Sequence, residues 1–170
     1  MGRWLALAAA RSGFRVLLED VLPQNLHHAQ EWLRQQLGPE ALGGVGFVTT
    51  IEDAVREADL AIDCVPDELE SKLEIFCLLD RMAPPRTVLA TPTTRLSIAD
   101  LASCTYRPDR CVAIVAEASS LVDGAASEIR LRTTSKTSPD SIDLLTRFWR
   151  RVGFAPVFEI DPIESSFTAR

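Results

Sequence analysis

Gly2 stands immediately before a run of helix formers that extends to Arg11, and Asp20 closes the apolar stretch Phe14 to Leu18 that comes next. A helix N-terminus presents free N–H groups and a partial positive charge to a phosphate, and a glycine there lets the ligand approach the backbone. An acidic residue at the end of the following strand, roughly 20 residues beyond the glycines, accepts ribose hydroxyls. Together these residue types describe the chemistry of dinucleotide binding. Spacing alone equally allows Asp20 to be an ordinary loop carboxylate. A second point of interest is Val65-Pro66, which ends the apolar run Ala61 to Val65. In open α/β sheets ligands bind at the carboxyl ends of parallel strands, which is where this dipeptide falls.

The elements needed to position those residues are legible as an alternation. Pro23 opens an amphipathic helix carrying Leu26, Ala29, Trp32, Leu33 and Leu37, which Gly38-Pro39 stops. After a Gly-rich loop come a short strand at Gly46–Thr49, a short acidic helix from Ile51 to Glu57 and the strand Ala61–Val65. Pro66 is expected to open a helix through Leu69, Leu73, Phe76 and Leu79, with the strand Thr87–Ala90 after it. Ser97–Ser103 reads as a short helix, Cys111–Val115 and Ile129–Arg132 as strands, Pro139–Val152 as a helix and Pro156–Ile160 as a last strand. Strands separated by helices imply parallel βαβ units. The least patterned stretch is Ala116–Ala126, a loop or a short helix.

Composition restricts the partners. The chain has 170 residues, 46% of them hydrophobic, which supports one domain spanning 1–170. A formal net charge of -6 argues against nucleic acid and anionic membranes. The apolar run Trp4–Ala10 is far shorter than the roughly 20 residues a bilayer span requires. Cys64, Cys77, Cys104 and Cys111 form no CxxC pair and lie in apolar stretches, so they read as buried free thiols of a cytoplasmic protein, with no metal site. The only histidines, His27 and His28, fall in the second helix and read as surface residues.

Several stretches, in the right order, resemble the 3-hydroxyacyl-CoA dehydrogenase family. Met1-Gly2-Arg3-Trp4-Leu5-Ala6 resembles the end of the family's GxGxMG turn, and Ser12 to Asp20 its second strand. Ala58 to Lys72 resembles its AD-LVIEAVPE-LE-K run, Val88 to Ile98 its ILASNTSSLSI segment and Tyr106 to Arg110 its RPER turn. The resemblance implies a Rossmann-like, doubly wound α/β fold with a mainly parallel sheet that lacks the first central strand. It implies NAD as cofactor, held by Gly2, Asp20, Val65, Asp67, Lys72 and Thr94. Asp67 and Lys72 would then lie beside the nicotinamide; Lys72 also reads as a solvated helix charge paired with Glu68 or Glu70. Thr94 takes the position of a hydroxyl that contacts substrate and cofactor, and strand-end threonines also occur with no such role.

Here the pattern breaks. Family members use a histidine as the base that removes the substrate's hydroxyl proton, and Val115 occupies that position. Ala118 replaces an asparagine that seats the nicotinamide, Glu128 remains near the place of the glutamate that orients the histidine, and Glu117 is the nearest ionisable neighbour. The resemblance implies hydride transfer between NAD and a 3-hydroxyacyl-CoA or related 3-hydroxy acid, with Thr94 and Glu128 as the remaining candidates for catalytic roles. The missing base leaves a second reading, a non-catalytic dinucleotide-binding or interaction module. A chain that opens inside the glycine turn reads as a fragment or a misplaced start, and the family's C-terminal helical domain, which contributes a homodimer contact, is not represented. Without the first strand, two sheet edges are expected to stand unpaired.

Overall fold

The computed structural model describes residues 1–116, 128–163 and 165–167. The first half contains α1 (Gly2–Arg11), β1 (Val16–Glu19), α2 (Pro23–Gln36), α3 (Pro39–Gly43), β2 (Val45–Val48), α4 (Ile51–Val55) and β3 (Leu60–Ile62). The second half continues through α5 (Leu69–Met82), β4 (Val88–Pro92), α6 (Ile98–Ser103), a 3-10 turn (Pro108–Arg110) and β5 (Cys111–Val115). It closes with β6 (Glu128–Thr133), a helix here termed α7 (Pro139–Val152) and β7 (Ala155–Ile160). Pro23 sits in the first turn of α2, where its missing N–H goes unused, and Gly13 leaves α1 at φ +75°.

β1 and β2 pair in parallel as a two-stranded sheet, while β3, β4, β5, β6 and β7 pair in that order as a second sheet. Every pairing is parallel except β5 with β6, so the α/β, mainly parallel expectation is met. Among the described residues no backbone pairing joins β1 to β3. β4 and β5 are buried on both faces, and Val88, Leu89, Ala90, Val112 and Ala113 are fully apolar as such strands require. Phe76 of α5 with Ile98 and Leu101 of α6 covers one face, and Leu145 and Trp149 of α7 cover the other. A third cluster, Leu7, Ala10, Leu33 and Val45, joins α1 and α2 to the small sheet.

Some expectations are corrected. The Gly-rich loop before β2 contains α3, closed by Leu42 N–H donating to the Gly38 carbonyl over 3.0 Å. The strand expected over 61–65 ends at Ile62, and Pro66 does not open α5: Glu68 N–H donates back to the Pro66 carbonyl at 2.8 Å, and the helix starts at Leu69. Cys64 is exposed, whereas Cys111 is buried as expected. Glu117, Ala118 and all but the first residue of the unpatterned stretch lie outside the described residues. Among the described residues no helix is long and apolar enough to cross a membrane.

Candidate functional site

The carboxyl end of β1 and the residues just past β3 lie beside the first turn of α1. A methyl group built on Gly2 would lie 3.7 Å from Cys64, just beyond β3, and 3.8 Å from Leu18 of β1. These are ordinary packing distances, so Gly2 marks the close seating of α1 on the strand ends, and the α1 N-terminus carries amide groups that have no partner within the helix. Asp20 follows β1 directly. Its Oδ1 accepts from Leu22 N–H at 2.9 Å, and its two carboxylate oxygens face Asn25 Nδ2 at 3.2 and 3.1 Å. Those bonds fix the carboxylate at the strand end while leaving acceptor capacity for hydroxyl donors.

Lys72 is the most constrained side chain of the region. Only 1% of it is exposed, so the solvated pairing with Glu68 or Glu70 is overturned. Its Nζ donates to Asp63 Oδ1 at 2.9 Å, to Thr91 Oγ1 at 2.8 Å and to the Val65 carbonyl at 3.4 Å. Val65 N–H in turn donates to Asp63 Oδ1 at 3.3 Å. An ammonium group out of water needs such a shell, and this one ties α5, β4 and the segment after β3 together. Burial pushes the Asp63 carboxyl above its ordinary range, against the pull of the Lys72 charge and of bonds from Thr91, Lys72 and Val65.

Asp67 lies in the loop that this shell holds. Arg95 Nη2 donates to the Asp67 carbonyl at 2.7 Å, and Arg95 Nε lies 3.8 Å from Asp67 Oδ2. Asp67 Oδ1 is buried and has no hydrogen-bond partner among the described residues. A buried carboxylate oxygen without a partner is an unmet acceptor. Thr94 is exposed beyond β4, next to Arg95, so Asp67 and Thr94 share one margin. The residues present thus fit a dinucleotide: α1 for the pyrophosphate, Asp20 for a ribose, and Asp67 with Thr94 at the far end.

At the end of β5 the register sets Val115 opposite Arg130 of β6. Glu128, the first residue of β6, lies two residues before Arg130 and is exposed; alternation places it on the same face as Arg130. Neither Val115 nor Arg130 can take a proton from a substrate hydroxyl. His27 and His28 are exposed on α2, as expected, and His27 Nε2 lies 3.3 Å from Glu31. Among the described residues there is no group of three His, Cys, Asp or Glu placed to hold a metal ion. Sequence reasoning did not identify Asp63 as the partner of Lys72, nor Arg95 as the clasp on Asp67. The first carried a signal, since a strand-end acid followed by a lysine in the next helix pairs readily across the turn; the second carried none.

Comparison with known proteins bears on this arrangement. A family model described as "3-hydroxyacyl-CoA dehydrogenase, NAD binding domain" matches residues 1–161. A "Probable 3-hydroxybutyryl-CoA dehydrogenase" of Bacillus subtilis is 33% identical over 125 residues, covering 66% of this chain and 43% of the relative. The "5-formyl-3-hydroxy-2-methylpyridine 4-carboxylate 5-dehydrogenase" of Mesorhizobium japonicum is 29% identical over 167 residues, 92% of this chain and 53% of the relative. The chain therefore spans about half the length of these curated relatives. In fold it resembles the solved (S)-3-hydroxybutyryl-CoA dehydrogenase of Ralstonia eutropha, with a TM-score of 0.84 at 20% identity over 95% of this chain and 60% of that one.

Proposed function

The chain belongs to the 3-hydroxyacyl-CoA dehydrogenase family as an NAD-binding domain, and on that premise we propose how its own residues hold the cofactor and what reaction they serve. The amides of the α1 first turn receive the pyrophosphate, and Asp20 accepts the adenosine ribose hydroxyls. That carboxylate repels a 2′-phosphate, so NAD is preferred over NADP. Asp67, with the Val65 segment held by Lys72, bounds the nicotinamide half. Bound NAD supplies the hydride acceptor, and the reaction is hydride transfer with a 3-hydroxyacyl-CoA or related 3-hydroxy acid. Thr94 offers its hydroxyl to the substrate oxygen, and Glu128 is the acid nearest to Arg130 on that face of β6. A homodimer and a closed substrate cleft are proposed only for a longer form of the protein.

The observation that supports this reading is the packing of Gly2, in the first turn of α1, against Leu18 of β1 and Cys64 just past β3. Calorimetric titration with NAD and with NADP tests it: NAD should bind, NADP more weakly, and Asp20→Ala should remove about tenfold of the preference, near 1.4 kcal/mol. Absence of NAD binding to the folded chain would sink it. Val115 at the end of β5 favours a second reading, a dinucleotide-binding module without turnover. NAD binding with no NADH formed from 3-hydroxybutyryl-CoA would support that module, whereas turnover would exclude it.

A further inference from the structure

We propose that Arg132 is a positioning residue, which acts through the backbone of Thr94 to fix the loop that presents the Thr94 hydroxyl. Arg132 is the last residue but one of β6, opposite Ala113 and between the buried Leu131 and Thr133, and only 8% of its side chain is exposed. A guanidinium in such a place is costly unless its charge and donors are met. Its Nη2 donates to the Thr94 carbonyl at 3.1 Å. Nη1 lies 3.6 Å from Asp161 Oδ1, an ion-pair distance that leaves Nη1 without a hydrogen-bond partner among the described residues, and Nε lies 3.9 Å from Glu159, its cross-strand neighbour.

Asp161 completes the device. Its side chain is 5% exposed, and Oδ2 accepts from Ile98 N–H, the first residue of α6, at 2.7 Å. Oδ1 accepts from Ile163 N–H at 3.1 Å. One buried ion pair thus grips both ends of the segment from Thr94 to Ile98. Just ahead of that segment, Thr93 Oγ1 accepts from Arg95 N–H at 3.3 Å and Leu96 N–H at 3.0 Å. The backbone on either side of the Thr94 side chain is pinned, and the hydroxyl stays exposed at the carboxyl end of β4. A small misplacement of a group that touches reactants is enough to cost much of its effect.

The proposal rests on Thr94 contacting cofactor or substrate, so its test separates the two claims. NAD affinity is measured by calorimetry for the wild type, Arg132→Met, Arg132→Lys, Thr94→Ala and the Arg132→Met/Thr94→Ala double variant. Arg132→Met should weaken NAD about tenfold, the lysine variant should recover part of the loss, and the methionine should add nothing once Thr94 is alanine. Losses that multiply in the double variant, or an unchanged affinity in Arg132→Met, would overturn the role. Amide exchange is read on the same proteins without NAD: protection at Leu96 and Ile98 should fall at least tenfold in Arg132→Met while Leu89 keeps its own. A uniform fall would overturn the proposal even if NAD bound to none of the variants, a result that would by itself defeat only the cofactor reading. Asp161→Asn, which keeps an oxygen for Ile98 N–H, replaces Arg132→Met if the latter does not fold, and the same pattern is expected of it.

Discussion

Replacing Lys72 by methionine would leave Asp63 buried with its charge uncompensated and one oxygen already lacking a hydrogen-bond partner. Breaking a buried pair by removing one member costs about 3–5 kcal/mol, whereas replacing both members is close to neutral. Urea unfolding followed by tryptophan fluorescence should show that loss in Lys72→Met and most of it regained in Lys72→Met/Asp63→Asn; a loss under 1 kcal/mol in the single variant would contradict the account. Asp100 supplies a pH-dependent counterpart. It is 2% exposed, and although burial pushes its carboxyl up, hydrogen bonds from Ser165, Ser166 and Phe167 outweigh it and hold the group below its ordinary value of 3.8. A depressed folded pKa contributes stability that is present above the unfolded value and lost as pH falls through the folded one. The stability gap between wild type and Asp100→Asn should therefore be flat near neutrality and close below pH 3.8. At this scale Asp20 was legible because it closes an apolar run, whereas Asp67, Lys72 and Thr94 were named by the resemblance of the stretches that hold them to the family's pattern. The sequence did not name Arg95 and Arg132, whose partners Asp67 and Thr94 lie 28 and 38 residues away.

Elements whose ends are set by local chemistry were legible, and those set by distant contacts were not. α7 runs from Pro139 to Val152 as read, because Ser138 Oγ accepts from Ser141 N–H and Gly153 takes the left-handed conformation at φ +105°. α5 starts three residues later than Pro66 suggested, since Val65 and Asp67 carbonyls are claimed by Lys72 and Arg95 and the intervening backbone is held off the helix. The glycines separate the same two cases. Gly153→Ala forces a side chain into the left-handed region and should cost about 1 kcal/mol, read as a lower Tm. Gly43, at the end of α3, has open space around its Cα and no positive φ, so Gly43→Ala should be neutral or stabilising by about 0.4–1 kcal/mol. Equal losses from the two substitutions would mean that the conformation at Gly153 is not what the residue is there for.

The described residues form two sheets held together by side chains. On one side Leu5 of α1 packs against the Leu145 and Trp149 cluster, Phe14 meets Phe148 at 5.2 Å between ring centroids, and Arg151 donates to the Ser12 carbonyl at 2.8 Å. On the other side α4 joins the cluster under α5 through Ile51, Ala54 and Val55. No ladder of backbone bonds crosses from β1 to β3 among the described residues, so the two sheets do not share the cooperativity that a continuous ladder confers. Units with fewer buried contacts and exposed strand edges open at lower free energy than the core. Amide exchange under native conditions should accordingly show Leu17 and Phe47 opening well below the free energy of Leu89, Ile114 and Leu131. Phe14→Ala should lower protection in the two-stranded sheet and leave the five-stranded sheet nearly untouched, because the ring is a tie between units rather than part of either ladder. Matching protection in both sheets would mean that packing alone makes them one cooperative body. The cofactor reading gains from the opposite result: Gly2 and Asp20 belong to the looser unit and Asp67 and Thr94 to the firmer one, so NAD spanning them should raise protection in β1 and β2 more than in β4 and β5.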